Sequence, residues 1–518
     1  MKGRGRRWMM TVAATCVLIA SACSSDGDAA STEDLAPTNT TTTTSAATTQ
    51  APTTSEAAST TSGASEDRTT STSAEALAID PVEGGETAGD PYYPHVGNTG
   101  YDVLHYDLDL IVDIEGGDLV DAVATIDLTT TDDLSRFSFD LVRLDVSTVE
   151  IDGIPAEFDQ VDDKLRVFPD EPLVASTEHV VVVEYAGTPS IVNSGTRLGL
   201  IGWFDAGPVS FVAAEPDGAR TWFPVNDHPT DKATYSITLD VPDTLTGIAN
   251  GELAESDVVD GRRVTRWEMT DPMASYLATI AVGDYTIVDS EPGAGIDVVD
   301  AVPTRLLDVF DGDFDQTDEM LEVFIDLFGP YPFDEYGVVI ADTEFGFALE
   351  TQGRSLFSAS FVDGDGSIER IVAHELGHQW FGNSVSPETW QDIWLNEGFA
   401  TYAEDLWMEF GRGESLDELE DRIERRASNA QIPAPGDPGA SELFAPSVYR
   451  RGGATMHALR LEVGDDAFFE ILRSWVERFG GGTASTADFV ALSEEISGQD
   501  LDDLFDAWLG DGPIPGFE

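Results

Sequence analysis

A chain of 518 residues is longer than one hydrophobic core organises, so two or three domains are expected once non-globular segments are set aside. Its 27 basic against 97 acidic residues give a formal net charge of −70, which argues against nucleic acid and anionic membrane surfaces as partners. Cys16 and Cys23 are the only cysteines and both lie near the N-terminus, so the remainder forms no internal disulfide and is held by packing and metal.

Lys2, Arg4, Arg6 and Arg7 precede an apolar run from Trp8 to Ala22 that is too short to span a bilayer. This is the pattern of a signal peptide over residues 1–23. Ala20-Ser21-Ala22-Cys23 resembles the lipobox of bacterial lipoproteins, with Ala20 in place of the usual Leu or Val, and implies lipidation of Cys23; plain cleavage nearby is the alternative. The expected address is the outer face of the bacterial cytoplasmic membrane, or else secretion. Residues 24–90 are rich in Ser and Thr and read as a disordered linker, with a random-coil span of roughly 45 Å that makes it a tether. Lysine is confined to Lys2, Lys164 and Lys232; so acidic a surface suits high salt and, equally, an ordinary secreted protein.

Residues 91–287 read as a β-rich domain. From Tyr101 the pattern has period two, with Leu104, Tyr106, Leu108, Leu110 and Val112 on one face. Further short strands are expected at Val123 to Leu128, Phe137 to Leu141, Lys164 to Phe168, Val180 to Tyr185 and Tyr235 to Val241. His105, His179 and His228 stand singly and are assigned no metal. A loop from Glu215 to Pro229 breaks the pattern; on its own, Glu215 reads as a solvated acid or an ion-pair partner of Arg220.

Residues 288–518 carry the chemistry. A helix is expected over Thr317 to Phe328, a strand over Tyr336 to Ala341 and a buried edge strand over Glu344 to Gln352. In Ile371 to Tyr402, His374 and His378 are four apart and share one face of a helix, where two imidazoles close on one metal ion. A turn-prone link then leads to a second apolar-periodic segment offering Glu397. Two imidazoles and a carboxylate make a catalytic zinc set with a position left open, and Glu375 is placed to take a proton from an attacking water. Helices are expected over Ser415 to Ser428, Ala454 to Val463, Ala467 to Arg478, Thr486 to Ile496 and Leu501 to Leu509, with Tyr449 in a turn-rich segment between two of them. Taken alone, Glu350 reads as an acidic strand end and Tyr449 as packing.

HELGH, eighteen intervening residues and Glu397 within Trp394-Leu395-Asn396-Glu397-Gly398-Phe399-Ala400 resemble the aminopeptidase N family of zinc metallopeptidases, in the gluzincin clan. The likeness runs from about Tyr101 to Leu509. It implies a multidomain fold, in which an all-β saddle-like domain precedes a thermolysin-like α/β, mostly helical catalytic domain. It implies one Zn²⁺ on His374, His378 and Glu397, with Glu375 as base and Tyr449 stabilising the tetrahedral intermediate. Glu350 matches the exopeptidase motif and Glu215 a second acid, together binding the free α-amine, while the strand at Ala348 pairs with the peptide backbone. Phe347 stands where the family usually has Gly, which alters the first side-chain pocket. The chain ends soon after the catalytic helices, so the large C-terminal helical domain of many relatives is expected to be missing and the site more open. The expected function is a zinc aminopeptidase acting on peptides with a free N-terminus; a gluzincin endopeptidase and an inactive peptide-binding surface lipoprotein are the rivals.

Overall fold

Thirteen residues from Tyr101 to Asp113 form the central strand of the first half, because their apolar side chains recur at every second position. A computed structural model describes residues 81–114, 118–290 and 294–517; the expected leader, Cys23 and residues 24–80 of the expected linker lie outside the described residues. The phase of the first strand differs from the sequence reading at one point. Pairing with Asp118–Thr130 slips between Val103 and His105, so Val103 turns inward and Leu104 is 40% exposed. One extra residue in one strand reverses which face its neighbours occupy.

The ordered chain also begins before residue 91. Val82–Glu83 pairs with Leu134–Asp140, and the buried Asp90 carboxylate accepts N–H groups of Tyr92, Tyr93 and Trp390. Residues 81–90 are therefore tied to the strand-rich part at Val82–Glu83 and at Asp90, so the linker expectation does not hold for those points.

An eight-stranded sheet runs from Glu252–Val259 through Arg262–Met273, Ala233–Pro242, Tyr101–Asp113, Asp118–Thr130, Glu178–Gly187 and Asp145–Ile151 to Ile154–Pro155. A four-stranded and a five-stranded sheet complete this strand-rich part. The five-stranded sheet contains the hairpin Leu200–Asp205 and Ser210–Ala213, has Thr246–Ala249 at one edge, and includes Ile280–Gly283 as its last strand in the chain. The next strand, Tyr285–Ser290, already belongs to the sheet of the second part, so the division falls at about Asp284 rather than at 287. In that sheet Val338–Ala341 pairs with Ser355–Ser358, and Ala348–Leu349 pairs antiparallel at the edge. The expected nine-residue edge strand is thus only two residues long.

The helices among the described residues are α1 (Leu307–Phe314), α2 (Thr317–Phe328), α3 (Glu369–Gly377), α4 (Trp394–Leu406), α5 (Leu416–Ser428), α6 (Pro446–Val463), α7 (Asp465–Phe479), α8 (Thr486–Ser497) and α9 (Asp502–Leu509). A strand-rich part followed by a helical part is the architecture the sequence implies. Helix α6 starts earlier than expected: Pro446 occupies its first turn, where a missing N–H costs nothing, and Tyr449 is helical rather than in a turn. Gly452 and Gly453, which suggest a turn in sequence, serve a different purpose. A Cβ on Gly398 of α4 would lie 2.9 Å from the Gly452 carbonyl carbon, so the two backbones touch only because both residues are glycine. Between α3 and α4 a Cβ on Gly377 would lie 2.7 Å from the Ala403 Cβ, so the alanine side chain packs there against a glycine.

These approaches set the distances between the residues beside them. Gly398→Val is expected to cost about 1–3 kcal/mol by overpacking, visible as a lower urea midpoint. An unchanged midpoint would show that these glycines do not set the helix crossing.

Candidate active site

Helix α3 presents His374 and Glu375, and its last turn ends at His378. Trp394–Leu406 returns Glu397 to the same place. The Nε2 atoms of His374 and His378 lie 3.2 and 3.4 Å from one carboxylate oxygen of Glu397. His374, His378 and Glu397 offer ligand atoms within 4.8 Å of one another, as do Glu350, Glu375 and His378.

The outer contacts settle which ring nitrogens face inward. His374 Nδ1 lies 3.1 Å from Glu404 Oε1, and His378 Nδ1 lies 3.1 Å from the Phe381 carbonyl. Both Nδ1 atoms have acceptors, an arrangement that would leave each Nε2 lone pair for a cation once a metal takes the place of the Nε2 contacts with Glu397. Two imidazole nitrogens and a carboxylate, with the second ring nitrogens held in this way, fit a zinc ion. Glu404 is in turn placed by Arg370 and Arg426, at 3.4 and 3.6 Å. Sequence reading missed Glu404. Its signal was present, because it lies seven residues after Glu397 and so on the same helix face.

The cleft encloses about 720 Å³, its open mouth included. Glu215, Ala348, Glu350, Glu375, Glu397 and Tyr449 all line it, so each residue picked out in the sequence faces one space. Glu215 and Glu350 are both 3% exposed, and one oxygen of each has no hydrogen-bond partner. Arg220, the partner expected for Glu215 from sequence alone, pairs instead with Asp217 at 2.7 Å. That pair, with Asp227 accepting the Arg220 N–H, holds the loop that carries Glu215.

The carboxylates fall into two electrostatic classes. Burial pushes the Glu215 carboxyl well above its ordinary range, and Glu350, Glu397 and Glu375 push it further. Burial likewise raises Glu350, and it raises Glu375 to about 8 against the opposing pull of both histidines. Burial also acts on Glu397, but hydrogen bonds from His374 and His378 outweigh it and bring the carboxyl down to about 2. Glu404 is lowered too, because His374, Arg370 and Arg426 overcome its burial.

Two further positions were not legible in sequence. Gln379 and Asn383 donate to the Glu350 carbonyl at 3.2 and 2.6 Å, and Gln379 Oε1 accepts the Gly353 N–H at 2.9 Å. These contacts tie the edge strand to the segment after α3. Lys232 of the strand-rich part donates to the Asn383 and Ser384 carbonyls at 2.7 and 2.9 Å, so the same turn is held from both sides. Tyr449 donates to Glu397 Oε1 at 2.9 Å, with its ring 6.0 Å from that of His374.

Removing an outer acceptor should loosen the donor set without abolishing it. Glu404→Gln is expected to weaken zinc binding 10- to 100-fold in a competition titration with a chelator. Unchanged affinity would mean that Glu404 does not position His374.

A model described as the peptidase M1 N-terminal domain matches residues 103–277, and one described as the peptidase family M1 domain matches residues 313–508. Aminopeptidase M1 of Arabidopsis thaliana is 29% identical over 321 residues, which is 57% of this chain and 36% of that one. Endoplasmic reticulum aminopeptidase 1 of Homo sapiens is 30% identical over 332 residues, 59% of this chain and 35% of that one. The chain thus spans about a third of the length of these curated relatives. The solved M1 zinc metallopeptidase from Deinococcus radiodurans is 32% identical, with a TM-score of 0.76 over 83% of this chain and 99% of that one. Matched over nearly the whole of that structure, and by both domain models in their order, this chain belongs to peptidase family M1.

Proposed function

We propose that the protein is a zinc-dependent aminopeptidase that removes N-terminal residues from peptides. The observation that carries this reading is the pair Glu215 and Glu350, two buried carboxylates with unpartnered oxygens beside the His374, His378 and Glu397 donor set. A buried charge without a partner costs several kcal/mol, and the α-ammonium of a peptide is a cation of the right size and reach. An amine held there leaves the first peptide bond next to the donor set. Cleavage is then confined to the chain's end, which distinguishes this reading from an endopeptidase. The same unpartnered acids, kept beside an intact donor set, argue against an inactive peptide binder.

Held by His374, His378 and Glu397, zinc supplies a Lewis acid that polarises the scissile carbonyl and lowers the pKa of water to about 7. Glu375, lining the cleft beside the donor set, accepts the proton of the attacking water and delivers it to the departing amine. Tyr449 brings its hydroxyl to the cleft wall, where it donates to the developing oxyanion. The Ala348–Leu349 strand lies at the sheet edge, and its free side pairs with the substrate backbone as an added strand.

Turnover of an aminoacyl-arylamide should disappear with chelator and return with zinc. Glu375→Gln should lower kcat by about 10²- to 10⁴-fold with the metal content unchanged, and Glu350→Ala should raise KM more than it lowers kcat. Wild-type cleavage of N-acetylated peptides as fast as free ones would overturn the exopeptidase reading.

Export and a lipid anchor at Cys23 belong to the same proposal and rest on the leader and lipobox pattern. Cys23→Ala should move the protein from the membrane pellet to the soluble fraction. Equal pelleting of the two forms would remove the anchor from the account.

A further inference from the structure

The aminopeptidase reading places the substrate's amine at Glu215 and Glu350 and its first carbonyl at the donor set. The first side chain must then meet whatever remains of the cleft wall. Leaving aside residues already given a task, that wall is Leu198, Phe347, Phe361 and Ile371, together with Gly346. All are apolar, and among the described residues no lysine, arginine or aspartate lines the cleft. The carboxylates are committed elsewhere: Glu404 to His374 and the arginines, Glu397 to the histidines, Glu375 to the water, Glu215 and Glu350 to the amine. A charged side chain entering this space would lose its hydration and find no partner.

Phe347 packs at a 54° tilt against the end of an aromatic stack that crosses the two parts of the molecule. Its ring centroid lies 4.8 Å from that of Phe345, Phe345 lies 5.0 Å from Phe211, and Phe211 lies 4.9 Å from Phe204. The last two pairs are nearly parallel, at 17° and 6°. Phe204 and Phe211 sit on the Leu200–Asp205 and Ser210–Ala213 hairpin, just beyond the Leu198 that lines the cleft. The ring is thus a fixed wall rather than a swinging plug. Beside it, a Cβ on Gly346 would meet nothing within 4 Å, so the wall borders open space.

We infer that Phe347 is the specificity-determining residue of the cleft and selects peptides whose first residue is aromatic or large aliphatic over those beginning with a small or charged residue. This rests on the aminopeptidase reading, and ring-on-ring packing supplies the preference. The anchored ring needs no ordering when substrate arrives, so its contact area is available in full.

The test uses equilibrium binding of L-phenylalaninamide, L-alaninamide and L-lysinamide by calorimetry, with every protein carrying Glu375→Gln so that the amides are not hydrolysed and with wild type referring to Phe347 and Gly346, at a salt concentration that screens the chain's net charge. The wild type should bind L-phenylalaninamide at least 10-fold more tightly than either other amide, a ratio within reach of a hydrophobic pocket. Phe347→Ala should reduce that preference to within 2-fold, and Phe347→Leu should retain most of it. Gly346→Val, which the fold accommodates, should fill the space and weaken L-phenylalaninamide about 10-fold while leaving L-alaninamide within 2-fold. Equal binding of the three amides by the wild type would overturn the inference, as would a preference that survives both Phe347→Ala and Gly346→Val. Arylamide turnover tests the underlying reading separately. Turnover without a binding preference sinks only the pocket, and a binding preference without turnover sinks only the peptidase.

Discussion

Five carboxylates are buried around one cleft, and the rest of the structure is arranged to keep them there. Transferring a carboxylate from water into a protein interior is expensive unless positive charge or hydrogen bonds accompany it. Glu404 is compensated inside the protein by His374, Arg370 and Arg426, and Glu397 by the two histidines. Glu215, Glu350 and Glu375 are not, and their carboxyls are raised as a result. The residual negative potential suits two cations, a metal at the donor set and an ammonium at the unpartnered oxygens.

Holding uncompensated charge in place requires rigid support from both parts of the chain. Glu215 depends on the Arg220–Asp217 pair and Asp227. Glu350 depends on its carbonyl being clamped by Gln379 and Asn383, and Asn383 on Lys232. Tyr276 joins the parts again by donating to the Gly382 carbonyl while accepting from Asn396, the neighbour of Glu397. Arg354, wholly buried, reaches the Ala249 and Gly251 carbonyls on one side and Glu335 on the other. The Lys232, Tyr276 and Arg354–carbonyl contacts cross from the strand-rich to the helical part, so the cleft is held at their seam as well as within each.

The sequence was informative wherever chemistry depends on spacing within one element. His374, Glu375 and His378 share a helical turn, and alternation along Tyr101–Asp113 shows a half-buried strand. It failed where packing overrode local pattern. Leu104 faces solvent because the pairing slips by one residue, and Tyr449 is helical because its glycines serve a helix contact rather than a turn. Glu404 was overlooked although its spacing placed it correctly. Gln379 and Asn383 had no signal at all, since their partner is a backbone carbonyl on another element.

By itself the sequence placed His374, Glu375 and His378 together, because a helix puts residues four apart on one face whatever surrounds it. It also determined the order of a strand-rich part before a helical one, through the change of apolar period. Taken alone, Glu215, Glu350 and Tyr449 were ordinary residues, and a family resemblance was needed to single them out. Only the tertiary structure decided that Glu215 stands free of Arg220 and faces Glu350, that three phenylalanines stack with Phe347 packed at a tilt on their end, and that helices α4 and α6 meet backbone to backbone. Each is a contact between segments far apart in the chain, and such contacts are set by how sheets and helices pack, which no local spacing encodes.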